Sequence, residues 1–385
     1  MSYRNKLIRV TMLCYLPIVV MFATIRMLSA FGVLDFLKND IGSYLLNLIV
    51  QVGLLFCVSF FLFGRLIKSS NKNVAKFFGF KKIKFNQVCL SIVIGIVVYI
   101  LNVLITTFFN AFLTAFGYHF SSGSPMKSYP FWLLIVELIF TAVLPAVCEE
   151  TAHRGLLLKG LSPLGLWGSI FFSALFFGLL HLNIEQAFYA TLIGMLVGYI
   201  ALGCESIFPA MIIHFINNAI SVFMGYSSFH GLGLNKGFVI LDTWLSNSPI
   251  LGMLFMVLLI AVLFIVLKFL LKRLFRQSAF DKMNTMQRAM IEQYEREKYL
   301  KEVELLSRGN GEEFSENNLR EEFFEKFDEK YSERALKSGL QSDISHKLQQ
   351  DEGEFKLDKI NKVLIYTTFI IVGVITIFSF IWGIL

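Results

Sequence analysis

The run Glu149-Glu150-Thr151-Ala152-His153-Arg154 sets two adjacent carboxylates, an imidazole and a guanidinium inside an otherwise apolar stretch. Ionisable groups in such stretches are costly and usually functional or paired. On a helix, residues i and i+4 share a face. Glu150 therefore pairs with Arg154, which leaves Glu149 the freer carboxylate. One acid held by a cation and one free to take a proton from water is an arrangement suited to hydrolysis. Two more histidines lie on later apolar runs, His181 four residues after Phe177 and His214 four residues before Asn218. His and Asn side chains can donate to a developing oxyanion, and His can also bind a metal. No His-Glu-x-x-His pair is present to favour zinc.

These residues resemble the signature of the CAAX-protease and bacteriocin-processing family of intramembrane peptidases, related to type II CAAX prenyl endopeptidases. The likeness rests on Glu149-Glu150-Thr-Ala-His-Arg154, Phe177-Gly-Leu-Leu-His181 and His214-Phe-Ile-Asn-Asn218, in that order, with Phe208-Pro209-Ala210 ahead of the third motif. It covers roughly residues 130–225. The resemblance implies that Glu149 activates water, that Glu150 and Arg154 form a supporting pair, that His181 helps hold the water or a metal, and that His214 and Asn218 stabilise the tetrahedral oxyanion. It leaves a glutamate-type and a metallo-type peptidase both open. No cofactor is required, a divalent ion such as Zn2+ remains possible, and Glu149, His181 and His214 are its candidate ligands. The position before Arg154 is often aromatic in that family. Here it is His153, on the face of Glu149, where it can tune that carboxylate, add a ligand or face a polar crevice.

The elements that must carry these groups are membrane helices. Of 385 residues, 56% are hydrophobic and only 16% charged, against about 45–50% and about 25% in an ordinary soluble domain. About 20 apolar residues cross a bilayer as a helix. Nine such runs are expected, near 10–33, 42–63, 88–115, 130–158, 164–182, 186–203, 207–224, 249–272 and 361–385. The fold class is thus an all-α polytopic transmembrane bundle, about eight helices plus a C-terminal ninth. Its expected divisions are N-terminal transmembrane helices (1–129), a peptidase core (130–225), an eighth-helix region (226–272), a charged helical cytoplasmic insert (273–360) and the last helix (361–385).

Loop charge orients the bundle. Cations cluster before the first run, after the second (Arg65, Lys68, Lys72, Lys76, Lys81, Lys82, Lys84) and after the eighth, while the alternate loops hold only Lys38, Lys127 and Lys236. That pattern puts the N-terminus in the cytoplasm and the C-terminus outside. The basic residues flank apolar runs, so topology and anionic lipid explain them and a nucleic-acid partner is not expected. The insert is acidic, holding 20 of the 28 acidic residues. Within it, Met283–Leu306 and about Ser315–Lys337 are expected to be helical, and it could receive a protein partner.

Depth raises a conflict. With the turn at 158–164 on the surface, Glu149 lies roughly 14 Å in, His214 about 10 Å and His181 roughly 26 Å, too deep to share one water. The expected resolution is that 160–167 lies outside or along the interface and that His181–Glu185 is a buried hairpin near mid-membrane. Glu137 is expected to pair with Arg26, the five cysteines to be small buried hydrophobes, and Gly194-x-x-x-Gly198 to mark close helix packing. The leading expectation is an intramembrane endopeptidase open to the cytoplasm. Its substrate would be a peptide or membrane-protein tail. The alternatives are a non-catalytic membrane scaffold, regulator or bacteriocin-immunity partner acting through the insert, and a coupled transporter.

Overall fold

The computed structural model describes residues 2–37, 40–118, 128–234, 236–282 and 355–384. Among them every regular element is helical. Eight helices are long and apolar enough to cross a membrane. In chain order the framework is α1 (Tyr3–Ala30), α2 (Ile41–Ile67), α3 (Phe85–Ala115), α4 (Phe131–Gly160), a shorter apolar α5 (Leu166–Leu180), α6 (Ile184–Cys204), α7 (Phe208–Phe229), α8 (Pro249–Lys282) and α9 (Lys359–Ile384). The nine expected runs are therefore eight long helices and one of 15 residues, roughly 22 Å at 1.5 Å per residue. Residues 283–354, with most of the insert and both of its expected helices, lie outside the described residues.

The helices alternate in direction, and contacts fix which ends meet. The Ser206 hydroxyl donates to Lys81 O at 2.7 Å, Ile207 N–H donates to Gly79 O at 3.0 Å, and Ser278 Oγ donates to Cys204 O at 3.1 Å. Arg9 and Asp358 form an ion pair at 2.7 Å. These contacts gather the starts of α1, α3, α7 and α9 and the ends of α2, α6 and α8 at one end of the bundle, with the lysine-rich α2–α3 connection. At the far end Tyr44 bonds Glu137, Tyr118 bonds Glu185, and His230 bonds Tyr129 O. The start of α1 and the end of α9 thus lie at opposite ends.

Two apolar cores flank α4. One joins α1 (Leu7, Tyr15), α2 (Phe63), Phe77 and Phe78 to Leu157 of α4. The other joins α3 (Ile94), α6 (Val197), α7 (Ile213) and α8 (Leu267) to Leu158 of α4. Outward-facing side chains such as Leu251, Leu254, Leu258 and Phe269 of α8 are exposed. A bilayer gives these an apolar surround. Packing inside the bundle then depends on close approach rather than on exclusion of water. Gly178 of α5 is one such point, since a Cβ there would sit 2.5 Å from Ala187 O on α6.

The last helix is integral to the bundle. Asn361 is fully buried and its Nδ2 donates to Asn5 O at 2.8 Å and to Asn5 Oδ1 at 3.0 Å. Asp358 caps the first turn by accepting Asn361 N–H at 2.8 Å. Some 20 residues on, Ser379 Oγ accepts Ile184 N–H at 3.1 Å, just past His181.

Four expectations change. Gly160 and Leu161 are buried, Gly160 against Thr11 of α1, whereas Ser162–Leu164 are half-buried and Gly165 and Trp167 are exposed, so only the start of 160–167 is recessed into the bundle. The depth conflict arose from treating the α4–α5 turn as a surface marker. The His181–Glu185 turn is half-buried, with only Leu182 fully enclosed, and Ser379 and Tyr118 place it toward the far end rather than midway. Glu137 is held by Tyr44 Oη at 2.7 Å and Thr141 Oγ1 at 2.9 Å instead of Arg26. Cys14, Cys148 and Cys204 are buried as expected, but Cys57 is half-buried and Cys89 exposed.

Candidate active site

Glu149, Glu150 and Arg154 sit on α4, where the helix widens into i→i+5 turns over Leu138–Val143 and Thr151–Leu157. Such wide turns are frequent at functional sites. Glu150 is 1% exposed, and its Oε1 accepts from Arg154 Nη1 at 2.8 Å and from His214 Nδ1 at 2.8 Å. Arg154, equally buried, also donates from Nη2 to Gly194 O at 3.2 Å, and its guanidinium lies 4.5 Å from the centre of the Phe177 ring. The ion pair, the further hydrogen bonds and the cation–π face make this buried charge tolerable in an apolar interior, although Glu150 Oε2 and Arg154 Nε are buried without a hydrogen-bond partner. Gly194 earns its place here: a Cβ would lie 3.3 Å from Arg154 Nη2 and 3.2 Å from the Ala174 backbone. Gly198 makes only ordinary contacts, so the expected close packing falls on Gly194 alone.

Glu149 differs from its neighbour. Its Oε1 accepts from Gln51 Nε2 of α2 at 2.8 Å, and its Oε2 lies 3.9 Å from His214 Nε2. That gap is too long for a hydrogen bond and suits one bridging water. Glu149 is thus reachable where Glu150 is enclosed.

His181 ends α5. Its Nδ1 faces the Phe177 carbonyl at 3.0 Å, and since a carbonyl only accepts, Nδ1 carries the proton and the neutral ring keeps its lone pair on Nε2. The turn that aims it is unusual. Leu182 adopts φ 53°, a left-handed conformation that costs a non-glycine residue about 1 kcal/mol or more. Asn183 then caps α6 by accepting Glu185 N–H and Gln186 N–H. Asn218 serves α4 directly. Pro145 offers no N–H to the carbonyl four residues earlier, and Asn218 Nδ2 supplies a donor to Thr141 O at 3.0 Å. One Asn218 N–H is committed there and one remains.

All six residues singled out in the sequence line a single cavity of about 400 Å³. His153 does not line it. It is fully buried, with Nδ1–H donating to Glu149 O at 2.7 Å and Nε2 3.1 Å from Tyr15 Oη. The polar-crevice reading of His153 gives way to an internal packing role. Sequence reasoning passed over Gln51, Asn47 and Asn102, which also line the cavity. Their signal was available: uncharged amides inside strongly apolar runs, two of them spaced i, i+4.

The cavity is closed at the basic end, where Arg154, Val197 and Ile213 are each 1% exposed. Its exposed lining residues Thr141, Gln186 and Ser221 all lie toward the far end. Among the described residues no group of three or more His, Cys, Asp or Glu side chains is disposed to hold a metal. Glu149, His181 and His214 share the cavity without converging as a ligand set.

Residues 130–220 match the family model described as type II CAAX prenyl endopeptidase Rce1-like. The match supports a CAAX-protease assignment for this segment. The match takes in α4 to α6 and the part of α7 that carries His214 and Asn218. The CAAX-protease segment thus contains all six proposed residues, whereas Gln51 and Asn47 come from outside it. At family level this makes the chain a multi-pass membrane protein with an intramembrane protease segment of the CAAX type. No curated protein and no solved structure matches the chain.

Proposed function

We propose that the protein is an intramembrane endopeptidase in which Glu149 is the general base. The observation that carries this reading is the asymmetry of the two carboxylates: Glu150 is buried between Arg154 and His214, while Glu149 Oε2 faces the cavity across a water-sized gap from His214 Nε2. A water held in that gap gives its proton to Glu149 as its oxygen bonds the scissile carbonyl carbon. The carbonyl π electrons move to oxygen. The remaining Asn218 N–H and, in the imidazolium form, Nε2–H of His214, which is anchored on Glu150 through Nδ1, are the donors for that oxyanion. His181 Nε2 is the further group available to hold the water. On collapse the C–N bond breaks and Glu149 passes its proton to the leaving nitrogen, giving an acid and an amine. No step of this reading runs through a metal.

Loop charge favours the basic end as cytoplasmic. The mouth lies at the other end. With the exposed lining residues toward that other end, this reading does not combine a cytoplasmic basic end with a cytoplasm-facing site. We place substrate entry on the non-cytoplasmic side, which suits a peptide or membrane-protein segment presented there.

Hydrolysis in 18O-labelled water tests the reading. One 18O should appear in the new C-terminal carboxylate, in chelator-treated protein as in untreated. Absence of the label, or loss of cleavage restored only by a divalent ion, contradicts the glutamate mechanism.

A further inference from the structure

Beyond the six site residues, the cavity is lined by carboxamides, including Asn47 and Gln51 of α2 and Asn217 of α7. Chemistry fixes how two of them point. A carboxylate only accepts, so Gln51 must turn Nε2 to Glu149, and its Oε1 is left buried without a partner. A backbone carbonyl also only accepts, so Asn218 must turn Nδ2 to Thr141 O; its Oδ1 then takes Asn217 Nδ2–H at 3.3 Å, and Asn217 Oδ1 is left buried and unpartnered. Asn47 Oδ1 is buried without a partner too. Gln51 itself is only 6% exposed. Unmet acceptors in an apolar interior are costly, and these three carboxamide oxygens, with Glu150 Oε2 a fourth unmet acceptor on the same cavity, call for a ligand that brings donors.

Their spacing narrows the choice. Asn47 and Gln51 are i and i+4 on one helix face, so their side chains stand about 6 Å apart. An extended peptide presents N–H groups on one edge every second residue, about 6.6 Å apart. Asn217 lines the same cavity from α7, next to Asn218.

We propose that Asn47, Gln51 and Asn217 form a backbone-binding subsite that accepts N–H donors from an extended polypeptide segment and leads it to Glu149. This deepens the peptidase reading and rests on it. The subsite reads conformation rather than side chains. It accepts unfolded segments of varied sequence and disfavours proline, which lacks the donor, at the contacted positions.

The test is binding of a dye-labelled, end-capped pentaleucine to the full-length wild-type protein in nanodiscs, with each backbone amide N-methylated in turn and product formation followed in the same samples. N-methylation at alternate positions should weaken binding about fivefold, the effect of losing one hydrogen bond. In Asn47→Leu or Asn217→Leu one of those penalties should fall below twofold, whereas a purely steric penalty would persist. A flat scan, penalties unchanged in both variants, or no binding of the probe overturns the subsite. Binding with the expected pattern but no product would leave the subsite standing and count against the peptidase reading alone.

Discussion

Glu150 and His214, 64 residues apart in the chain, meet in a 2.8 Å hydrogen bond, and the same carboxylate oxygen holds Arg154. This makes Glu150 the node that joins α4 to α7 and fixes His214 in front of Glu149. The pair of acids, equivalent in the sequence, is divided by burial into one that builds the site and one that faces it.

Removal of one side of the buried pair leaves the other charge without compensation. Arg154→Met should therefore destabilise the protein by about 3–5 kcal/mol. Thermal unfolding in detergent measures this. Replacing both partners, as in Glu150→Leu with Arg154→Met, should recover much of the loss even though activity does not return, because apolar packing substitutes for a buried ion pair. Wild-type stability in Arg154→Met alone would contradict the role given to the pair.

His153 is packed edge-on against Tyr15 and Phe177, with ring centroids 5.7 and 4.9 Å away. An aromatic ring fits that place. His153→Phe should keep cleavage within about threefold of wild type while losing the hydrogen bonds to Glu149 O and Tyr15 Oη, each worth about 1 kcal/mol of stability. A loss of a hundredfold or more in folded protein would make His153 a participant in the chemistry.

The direction of the mouth can be read in intact cells. A single cysteine at Gln186, which is exposed and lines the cavity, should be labelled by an impermeant thiol reagent added from outside, and one at Lys82 only after permeabilisation. The background would be a chain with its five native cysteines replaced. The reverse pattern would put the mouth on the cytoplasmic side.

The α9 contacts bear on the scaffold alternative. Since Ser379 supports the turn after His181, deletion of the C-terminal region should impair a peptidase as well as a scaffold. Only substitution at Glu149 separates the two.

The charged part of the site was legible because ionisable groups in apolar runs are rare, and because i, i+4 spacing states which groups share a helix face. Glu150 with Arg154 follows from that spacing directly. The amide wall was not legible in the same way. Gln51, Asn47 and Asn217 carry no charge, and the bond from Gln51 to Glu149 depends on how α2 packs on α4, which no spacing within either helix encodes. The alternation of nine helical segments was legible from apolar runs and loop charge. The recess at the start of the α4–α5 turn was not, since it depends on Gly160 meeting Thr11 across a helix interface. His153 was misjudged for a related reason. Its helix face points it past Glu149 into the core around Tyr15, and which of two neighbouring surfaces a face meets is a tertiary fact.

The central claim is that Glu149 activates the water. The most direct measurement is the single-turnover cleavage rate of purified Glu149→Gln against wild type in nanodiscs, with thermal unfolding of both. Glu149→Gln keeps the size of the side chain and removes the base. A rate at least a hundredfold lower, with an unfolding midpoint close to wild type, is the expected result. Cleavage by the variant at a rate near that of wild type would contradict it.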